Sequence, residues 1–140
     1  MNDAGVQLAQ AAASFIGTPF RLNGRSAEAG LDCVGLVAAS LTTIGHMPVP
    51  PVGYELRNRK IDVFLQSAQA SGLIEATGPI QAGDIVLVAP GPGQQHLLIA
   101  ENSTSFIHAH AGLRCVVRMP GPPPWPIIRH WRLSAVTMKD

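Results

Sequence analysis

The chain has 140 residues, of which 46% are hydrophobic and 14% are charged, and its formal net charge is +1. This composition excludes a disordered chain and predicts one globular domain over residues 1–140. The small charge argues against a nucleic-acid partner, no apolar stretch is long enough for membrane insertion, and two cysteines do not make a disulfide framework. Because the N-terminus lacks the basic and apolar segments of a secretory signal, we expect synthesis in the cytoplasm.

The first half of the chain has the apolar spacing of helices. Asn2 or Asp3 is placed to cap the first helix, and the segment 17–19, Gly-Thr-Pro, ends it. A loop over residues 20–30 leads to the second helix, and a proline-rich connector over residues 47–54 separates the second from the third. The predicted helices run to about Phe15, from Cys33 to about Ile44, and from about Lys60 to Ala70.

The second half changes to strands that are separated by turns rich in Gly, Pro and Asn. The predicted strands are Ile85–Ala89, His96–Ala100, Phe106–His110, Arg114–Met119 and Ile127–Leu133. The short turns between them favour an antiparallel meander. Helices followed by such a meander predict an α+β fold.

One stretch, LDCVGLVAA at residues 31–39, points to chemistry. Asp32 is a preferred N-cap, which puts Cys33 at the first helical position, where the macrodipole favours a negative charge. A thiol there ionises more easily than the free value of about 8.5, and the thiolate is a nucleophile. Gly35 within the helix indicates that another segment packs closely at that point. The alternative is that Cys33 is a small buried hydrophobic residue, as free cysteines usually are.

Three histidines fall on one predicted hairpin. If its turn centres on Asn102 and Ser103, His96 lies opposite either His108 or His110, and both candidates share a face with it. Opposed side chains have Cβ atoms about 4.5–5.5 Å apart, which is within reach of two imidazoles. If the Cys33 helix packs on that face, a nucleophile, a base and an orienting group come together.

The remaining polar residues have simpler interpretations. We expect His46 and His130 on the surface and Cys115 in the packed interior. Asp84 is expected to stabilise a turn. Arginines are expected on the solvated surface, although Arg21 and Arg25 are near enough to the Cys33 loop to meet a substrate carboxylate. Two Cys and two His residues are enough for zinc, but no CxxC or HxxxH spacing occurs, so we expect no metal site.

Several fragments, in order, resemble the NlpC family of papain-like cysteine peptidases, which cut bacterial cell-wall peptides. GTPFRLNG is similar to the family's Gly-Thr-Pro-Tyr segment, and LDCVGLV to its Asp-Cys-Ser-Gly-Leu-Val motif. QAGDIVLV resembles its Pro-Gly-Asp-Leu-Val-Phe strand, QHLLIA its His-Val-Gly-Ile strand, and FIHAHAG the segment of its third catalytic residue. The resemblance, from Gly17 to about Val117, implies a papain-like NlpC fold. In that fold, N-terminal helices carry the catalytic Cys at a helix N-terminus and pack on a C-terminal antiparallel sheet.

The resemblance also assigns roles to single residues. The implied catalytic residues are Cys33 as the nucleophile, His96 as the base and His108 as the residue that orients His96. Asp32 would bind the free amino end of the substrate peptide as well as cap the helix. Phe20 stands where the family has a Tyr that lines the substrate site, and Val34 replaces the Ser after the nucleophile. The oxyanion would lie against the backbone N–H of Cys33.

The implied reaction is hydrolysis of a peptidoglycan stem peptide through a Cys33 thioester, between D-glutamate and diaminopimelate, without a cofactor. The DCVGLV variant, the closing HWRL and the absent signal are most similar to the phage-tail and gene-transfer-agent branch of the family. That branch implies phage-like tail proteins as partners and delivery to the wall by a phage-like particle. Two alternatives stay open: a tail-assembly module with a weak or inactive site, and a cysteine amidase or acyltransferase that acts on a non-wall substrate.

Overall fold

The computed structural model describes residues 3–49 and 62–133, without the side chains of residues 3 and 62–64. Its helices are α1 (Asp3–Ser14), α2 (Cys33–Thr43) and α3 (Asp62–Ala70). Its strands are β1 (Arg25–Ser26), β2 (Gly30–Leu31), β3 (Leu73–Glu75), β4 (Ile85–Val88), β5 (His96–Asn102), β6 (Ser105–His110), β7 (Cys115–Pro120) and β8 (Ile127–Leu133). Within the described residues every predicted helix and strand is found close to its expected bounds, which confirms the α+β fold; the predicted start of α3 at about Lys60 lies outside them. Most of the predicted connector over residues 47–54 lies outside the described residues.

Six strands form one antiparallel sheet in the order β3-β8-β4-β5-β6-β7. Strands β4 to β7 form the predicted meander, in which each strand pairs with the next. The prediction is wrong for the last strand, because β8 returns to lie between β3 and β4. Local periodicity cannot show this, since pairing between strands distant in sequence leaves no local pattern. The short strands β1, β2 and β3 are also missing from the prediction.

Helix α2 begins where the sequence predicts. Asp32 Oδ1 accepts the backbone N–H of Gly35 at 2.8 Å, as an N-cap does, and Gly45 follows the helix end with a φ of 90°. A Cβ atom on Gly35 would collide with the carbonyl oxygen of Gly24, which confirms the close packing predicted at this position. The preceding loop is therefore packed on the first turn of α2, and it fixes the end of the helix that carries Cys33.

Apolar side chains pack on both faces of the sheet. The main core lies between the helices and one face, and includes Leu8, Leu31, Leu36, Leu41, Ile85, Leu87, Leu97, Ile99, Ile107 and Trp131. A second cluster on the other face is formed by Val86, Val88, Leu98, Ala100 and Phe106, with Ile80, Met119 and Trp125 packed against them. Because both faces are covered, β4 and β5 are buried along most of their length and read as continuous apolar runs.

A buried ion pair ties β8 to the turn before β4. Asp84 is fully buried and accepts the backbone N–H of Gln81 at 2.9 Å, so its predicted turn role is confirmed. Its two carboxylate oxygens also accept Nε and Nη2 of Arg132, at 2.8 and 2.9 Å. His130 Nε2 lies 3.7 Å from the same carboxylate, with only 11% of the side chain exposed. The predictions that Arg132 and His130 are solvated surface residues are therefore wrong.

Candidate active site

Cys33 is the first residue of α2 and is 9% exposed. The net effect of its surroundings raises the pKa of the thiol to about 12. Burial is the largest cause, and the nearby Asp32 also raises the pKa, whereas the backbone N–H groups of Leu97 and Val34 lower it. The expectation of an easily ionised thiol is wrong here because desolvation outweighs the N–H donors at the helix N-terminus. Cys33 therefore keeps its proton at neutral pH until another group takes it.

The two imidazoles of the predicted pair are joined directly. His96 Nε2 and His108 Nδ1 lie 2.9 Å apart, and the rings meet edge to face with centroids 5.1 Å apart. The register of β5 and β6 pairs Ile99 with Ile107, and its continuation puts His110, not His108, opposite His96. The hydrogen bond is therefore diagonal. Strand register alone would have selected the other histidine, whereas the family resemblance selected the one that makes the contact.

Both members of this pair are neutral over the physiological range. Burial, with smaller contributions from the nearby His108 and His110, lowers the pKa of His96 to about 3. Burial also lowers the pKa of His108 to about 4, again with a contribution from His110. His108 is 2% exposed, so its ring has little access to water. A neutral imidazole is the form that can accept a proton from a thiol.

Trp125 covers the histidine pair. Its ring lies edge to face against both imidazoles, with centroid distances of 6.3 Å to His96 and 6.2 Å to His108. It comes from the proline-rich segment just before β8. Sequence reasoning missed this residue because an isolated Trp among prolines reads as part of a loop. The only available signal was an aromatic residue, held between prolines, in a chain that contains two tryptophans.

His110 contributes to the same cluster from the end of β6. The backbone N–H of Leu113 donates to His110 Nδ1 at 3.1 Å. Its ring centroid is 5.4 Å from that of His108. His110 is thus a neighbour of the pair, and its hydrogen bond holds the turn that follows β6.

Asp32 is held by several donors and is 1% exposed. Besides the N–H of Gly35, its carboxylate accepts the backbone N–H of Asn23 at 2.7 Å and Nη1 of Arg25 at 3.1 Å. Arg25, which the sequence placed near a substrate carboxylate, contacts this internal carboxylate in the structure. Phe20 is brought to the same region because its N–H bonds the carbonyl of Arg114 at 2.9 Å.

These groups surround a cavity of about 320 Å³. It is lined by Phe20, Asp32, Cys33, Pro90, Gln94, Gln95, His96, His108, Ala109, His110, Ala111, Gly112 and Trp125. The cavity is therefore lined by all five residues that the family resemblance placed at the site, whereas Arg21 and Arg25 are not among its described lining residues. Within the described ranges, the Cys33 sulfur and the His96 ring share this cavity without a hydrogen bond between them. Their catalytic roles, and the substrate-binding roles of Asp32 and Phe20, stay predictions.

The cavity forms at the end of β5 and not under one face of the sheet. Helix α2 packs on the face that carries Leu97, and this side chain alternates with His96 along the strand. The histidine pair lies on the opposite face, with Trp125. The Cys33 helix therefore does not pack on the histidine face, which was the condition under which the sequence brought these groups together. The helix tip reaches the pair around the strand end, where the Leu97 N–H approaches the sulfur.

Residues 3–49 and 62–133 contain no group of three His, Cys, Asp or Glu side chains that could hold a metal ion. In these ranges no helix has both the length and the apolarity to cross a membrane. Cys115 begins β7, is half-buried, and is not one of the described residues that line the cavity.

Solved structures share this fold at low sequence identity. NlpC1 from Trichomonas vaginalis has a TM-score of 0.69 and 19% identity, over 92% of this chain and 45% of that one. The P60 domain of antigen MAP1204 from M. avium subspecies paratuberculosis has a TM-score of 0.62 and 18% identity, over 94% and 96%. The peptidoglycan hydrolase RipB from Mycobacterium tuberculosis has a TM-score of 0.61 and 19% identity, over 93% and 64%. The chain thus spans less than half the length of NlpC1.

Sequence comparison identifies the family. Curated proteins give no match to this chain. The sequence model of the NlpC/P60 family matches residues 17–125, a segment that contains all the proposed catalytic residues and Trp125. Since that segment is well over half of the chain, this protein belongs to the NlpC/P60 family.

Proposed function

We propose that this protein is a cysteine peptidase that hydrolyses amide bonds in peptidoglycan stem peptides. The observation that carries the proposal is one cavity in which Cys33, at a helix N-terminus, lies with the hydrogen-bonded His96–His108 pair. Membership of the NlpC/P60 family and the similarity in fold to the peptidoglycan hydrolase RipB support a wall substrate.

The contact between the imidazoles supports an order of proton transfer. When His108 Nδ1 accepts, the proton of neutral His96 is on Nε2, and Nδ1 of His96 has the free lone pair. That lone pair can take the thiol proton of Cys33. The imidazolium formed is then stabilised by its hydrogen bond to His108. Because His108 carries no full negative charge, this stabilisation is weaker than an Asp would give.

Burial makes the proton transfer part of the reaction. With the pKa of the Cys33 thiol at about 12 and that of His96 at about 3, either charge alone is disfavoured in the cavity. Transfer of the proton from Cys33 to His96 creates two adjacent opposite charges and leaves the net charge of the cavity unchanged. We therefore infer that the thiolate forms as the substrate carbonyl approaches and is not stored beforehand.

Bond changes then follow in two stages. The Cys33 sulfur bonds to the carbonyl carbon, and the oxyanion accepts a hydrogen bond from the Cys33 backbone N–H. The imidazolium of His96 gives its proton to the leaving amine as the C–N bond breaks, which leaves a thioester. His96 next takes a proton from water, and the water oxygen attacks the thioester carbon. As the C–S bond breaks, His96 returns that proton to the Cys33 sulfur, and the released acid loses its own proton to solvent.

The bond between D-glutamate and diaminopimelate is our proposed cleavage point, supported by the resemblance of the DCVGLV, QHLLIA and FIHAHAG segments to the NlpC family. We further propose that the protein is carried by a phage-like particle with tail proteins as partners. The support for this is the DCVGLV variant and the closing HWRL motif. Co-purification with tail proteins from induced particles tests the second proposal, and presence only in particle-free lysate contradicts it.

The test of the main proposal uses defined muropeptides and mass spectrometry of the products. Wild type should cut one amide bond in the stem peptide, and Cys33→Ala should not cut it. Cys115→Ala is the matched control, since this cysteine does not line the cavity. It should cut at the wild-type rate. Cleavage by Cys33→Ala at the wild-type rate would contradict the mechanism.

The two alternatives predict different results in that assay. A tail-assembly module gives no products from any wall type. An amidase or acyltransferase leaves muropeptides intact but forms a Cys33 thioester with another acyl donor. The packing of the His96–His108 pair beneath Trp125 favours an active enzyme over the tail-assembly module, because this arrangement preserves a base and its orienting group at the cavity. An amidase or acyltransferase would use the same residues, so the assay separates it from the peptidase.

A further inference from the structure

The wall of the catalytic cavity has very little formal charge. Asp32 is the only acidic side chain among its described lining residues, and no Lys or Arg is among them. The remaining polar side chains are Gln94, Gln95 and the histidines. Recognition of a charged group on the substrate would therefore depend on whether the Asp32 carboxylate is available.

That carboxylate is already occupied. Oδ1 accepts the Gly35 N–H at 2.8 Å and Nη1 of Arg25 at 3.1 Å, and Oδ2 accepts the Asn23 N–H at 2.7 Å. A carboxylate has about four acceptor positions, so these donors use most of them. With 1% of Asp32 exposed, a ligand in the cavity meets almost none of its surface.

Arg25 reaches this carboxylate from outside the cavity. It lines a separate hollow with Ala38 and Thr42, and it is not among the residues that line the catalytic cavity. Its Nη1 also donates to the carbonyl of Gly24 at 3.0 Å, which holds the guanidinium in place, and its side chain is 35% exposed. The positive charge that neutralises Asp32 is therefore supplied by Arg25 of the protein itself, from the side away from the substrate.

We propose that Arg25 is a specificity-determining residue, and that the cavity accepts stem peptides whose amino end is acylated instead of peptides with a free ammonium. A free ammonium would lose water on entering, and the only carboxylate among the described lining residues would already be neutralised. An acylated amino end has no charge to desolvate. The substrate class is thus the stem peptide still joined by an amide at its amino end, as in the intact wall. This inference rests on the proposed function, and it differs from the free-amine role that the family resemblance implies for Asp32.

The test compares two peptides that differ only at the amino end. They are L-alanyl-γ-D-glutamyl-diaminopimelate with a free amine and the same peptide with an N-acetyl group. Cleavage is measured by kcat/KM with wild type, and binding is measured by calorimetry with Cys33→Ala, in which the chemistry is blocked. We expect the acetylated peptide to be cut and bound better than the free one. Equal values for the two peptides, or any preference for the free amine, would overturn the inference.

Variants of Arg25 test whether this residue causes the preference for an acylated amino end. Arg25→Gln removes the counter-charge and should move the ratio of kcat/KM values about tenfold toward the free amine, since a hydrogen bond to a charged group is worth at least that factor. Arg25→Lys keeps the charge and should keep the wild-type ratio. An unchanged ratio in a folded Arg25→Gln would overturn the role of Arg25. If Arg25→Gln does not fold, the wild-type ratio still decides the substrate preference.

The outcomes separate this inference from the proposed function. Cleavage of both peptides with equal values or with a free-amine preference rejects the inference and leaves the peptidase standing. Failure of wild type to cut either peptide and of Cys33→Ala to bind either one rejects both.

Discussion

Two buried histidine clusters lie on this sheet, and they differ in how charge is held. At the cavity, His96 is hydrogen-bonded to His108, and burial keeps the pKa of both rings low. Beside β8, His130 lies 3.7 Å from Asp84, whose carboxylate is bound at both oxygens by Arg132. The first cluster consists of neutral partners, whereas the second contains a permanent ion pair.

The difference separates a group that exchanges protons from a group that holds a strand. A base must change its charge during the reaction, so a neutral, polarisable partner such as His108 suits His96. The Asp84–Arg132 pair keeps its charges and joins β8 to the turn before β4, which is useful because β8 is far from β4 in sequence. We therefore expect the cavity cluster to govern rate and the β8 cluster to govern stability.

The largest expected effect is on catalysis at the cavity. His108→Ala removes the orienting partner of His96 and should lower kcat by about 100-fold, the lower end of what general base catalysis contributes. The rate of muropeptide cleavage measures this change. His130→Ala is the matched control in the other cluster and should keep the wild-type kcat. Equal losses in both variants would show that the two clusters do not differ as proposed.

The next effect is on stability at β8. Asp84→Asn removes the buried carboxylate that binds Arg132 at both oxygens, and it should lower the free energy of unfolding by roughly 2 kcal/mol, the scale of a hydrogen bond to a charged group. Urea unfolding followed by circular dichroism measures this loss. The folded protein should retain its kcat, because Asp84 does not line the cavity. A variant with normal stability and low kcat would reverse the assignment of the two clusters.

The cavity histidines should also make stability depend on pH. In the unfolded chain they bind a proton near pH 6.5, but in the folded protein His96 stays neutral to about pH 3 and His108 to about pH 4. Below about pH 6.5 the unfolded state therefore binds more protons, and stability falls as the pH falls. Each histidine adds a slope that approaches about 1.4 kcal/mol per pH unit.

Urea titrations at about pH 7, 6 and 5 measure that slope. Removal of one titrating ring in His108→Ala should reduce the slope to roughly half of the wild-type value. A slope identical to that of wild type would mean that His108 is not held neutral by burial.

The smallest expected effect concerns the cover over the pair. Trp125→Ala opens the His96–His108 contact to water and should reduce kcat by about tenfold, since water weakens hydrogen bonds that a low local dielectric strengthens. Trp125→Phe keeps an aromatic ring and should restore most of the rate. The pH profile distinguishes positioning from general destabilisation, because in Trp125→Ala the acid limb should move toward the ordinary pKa of histidine. A lower rate with an unmoved profile would reject this role.

Local sequence patterns were sufficient for most of the fold and for the chemical groups. The capping preference of Asp32 and the apolar run after it located α2 and Cys33, and alternation located the strands that carry His96 and His108. Those signals lie within a few residues of one another. The choice of His108 over His110 came from the family resemblance, because the register of β5 and β6 favours the other residue.

The remaining features depend on contacts between distant segments. Insertion of β8 beside β4 brings Arg132 to Asp84, and no local pattern shows that pairing. The position of Trp125 follows from the same return of the chain. The raised pKa of Cys33 also results from burial by the sheet, which a helix-dipole argument on the isolated motif does not include. For this reason slow alkylation of Cys33 would not indicate a decayed site.

The most direct test of the central claim is to trap the acyl-enzyme. Wild type is mixed with its muropeptide, quenched in acid within the first turnover, digested and analysed by mass spectrometry. We predict an added mass equal to the acyl part of the substrate on the peptide that contains Cys33, and the same adduct in Cys115→Ala. Product formation at the wild-type rate by Cys33→Ala, with no adduct on wild-type Cys33, would contradict the account.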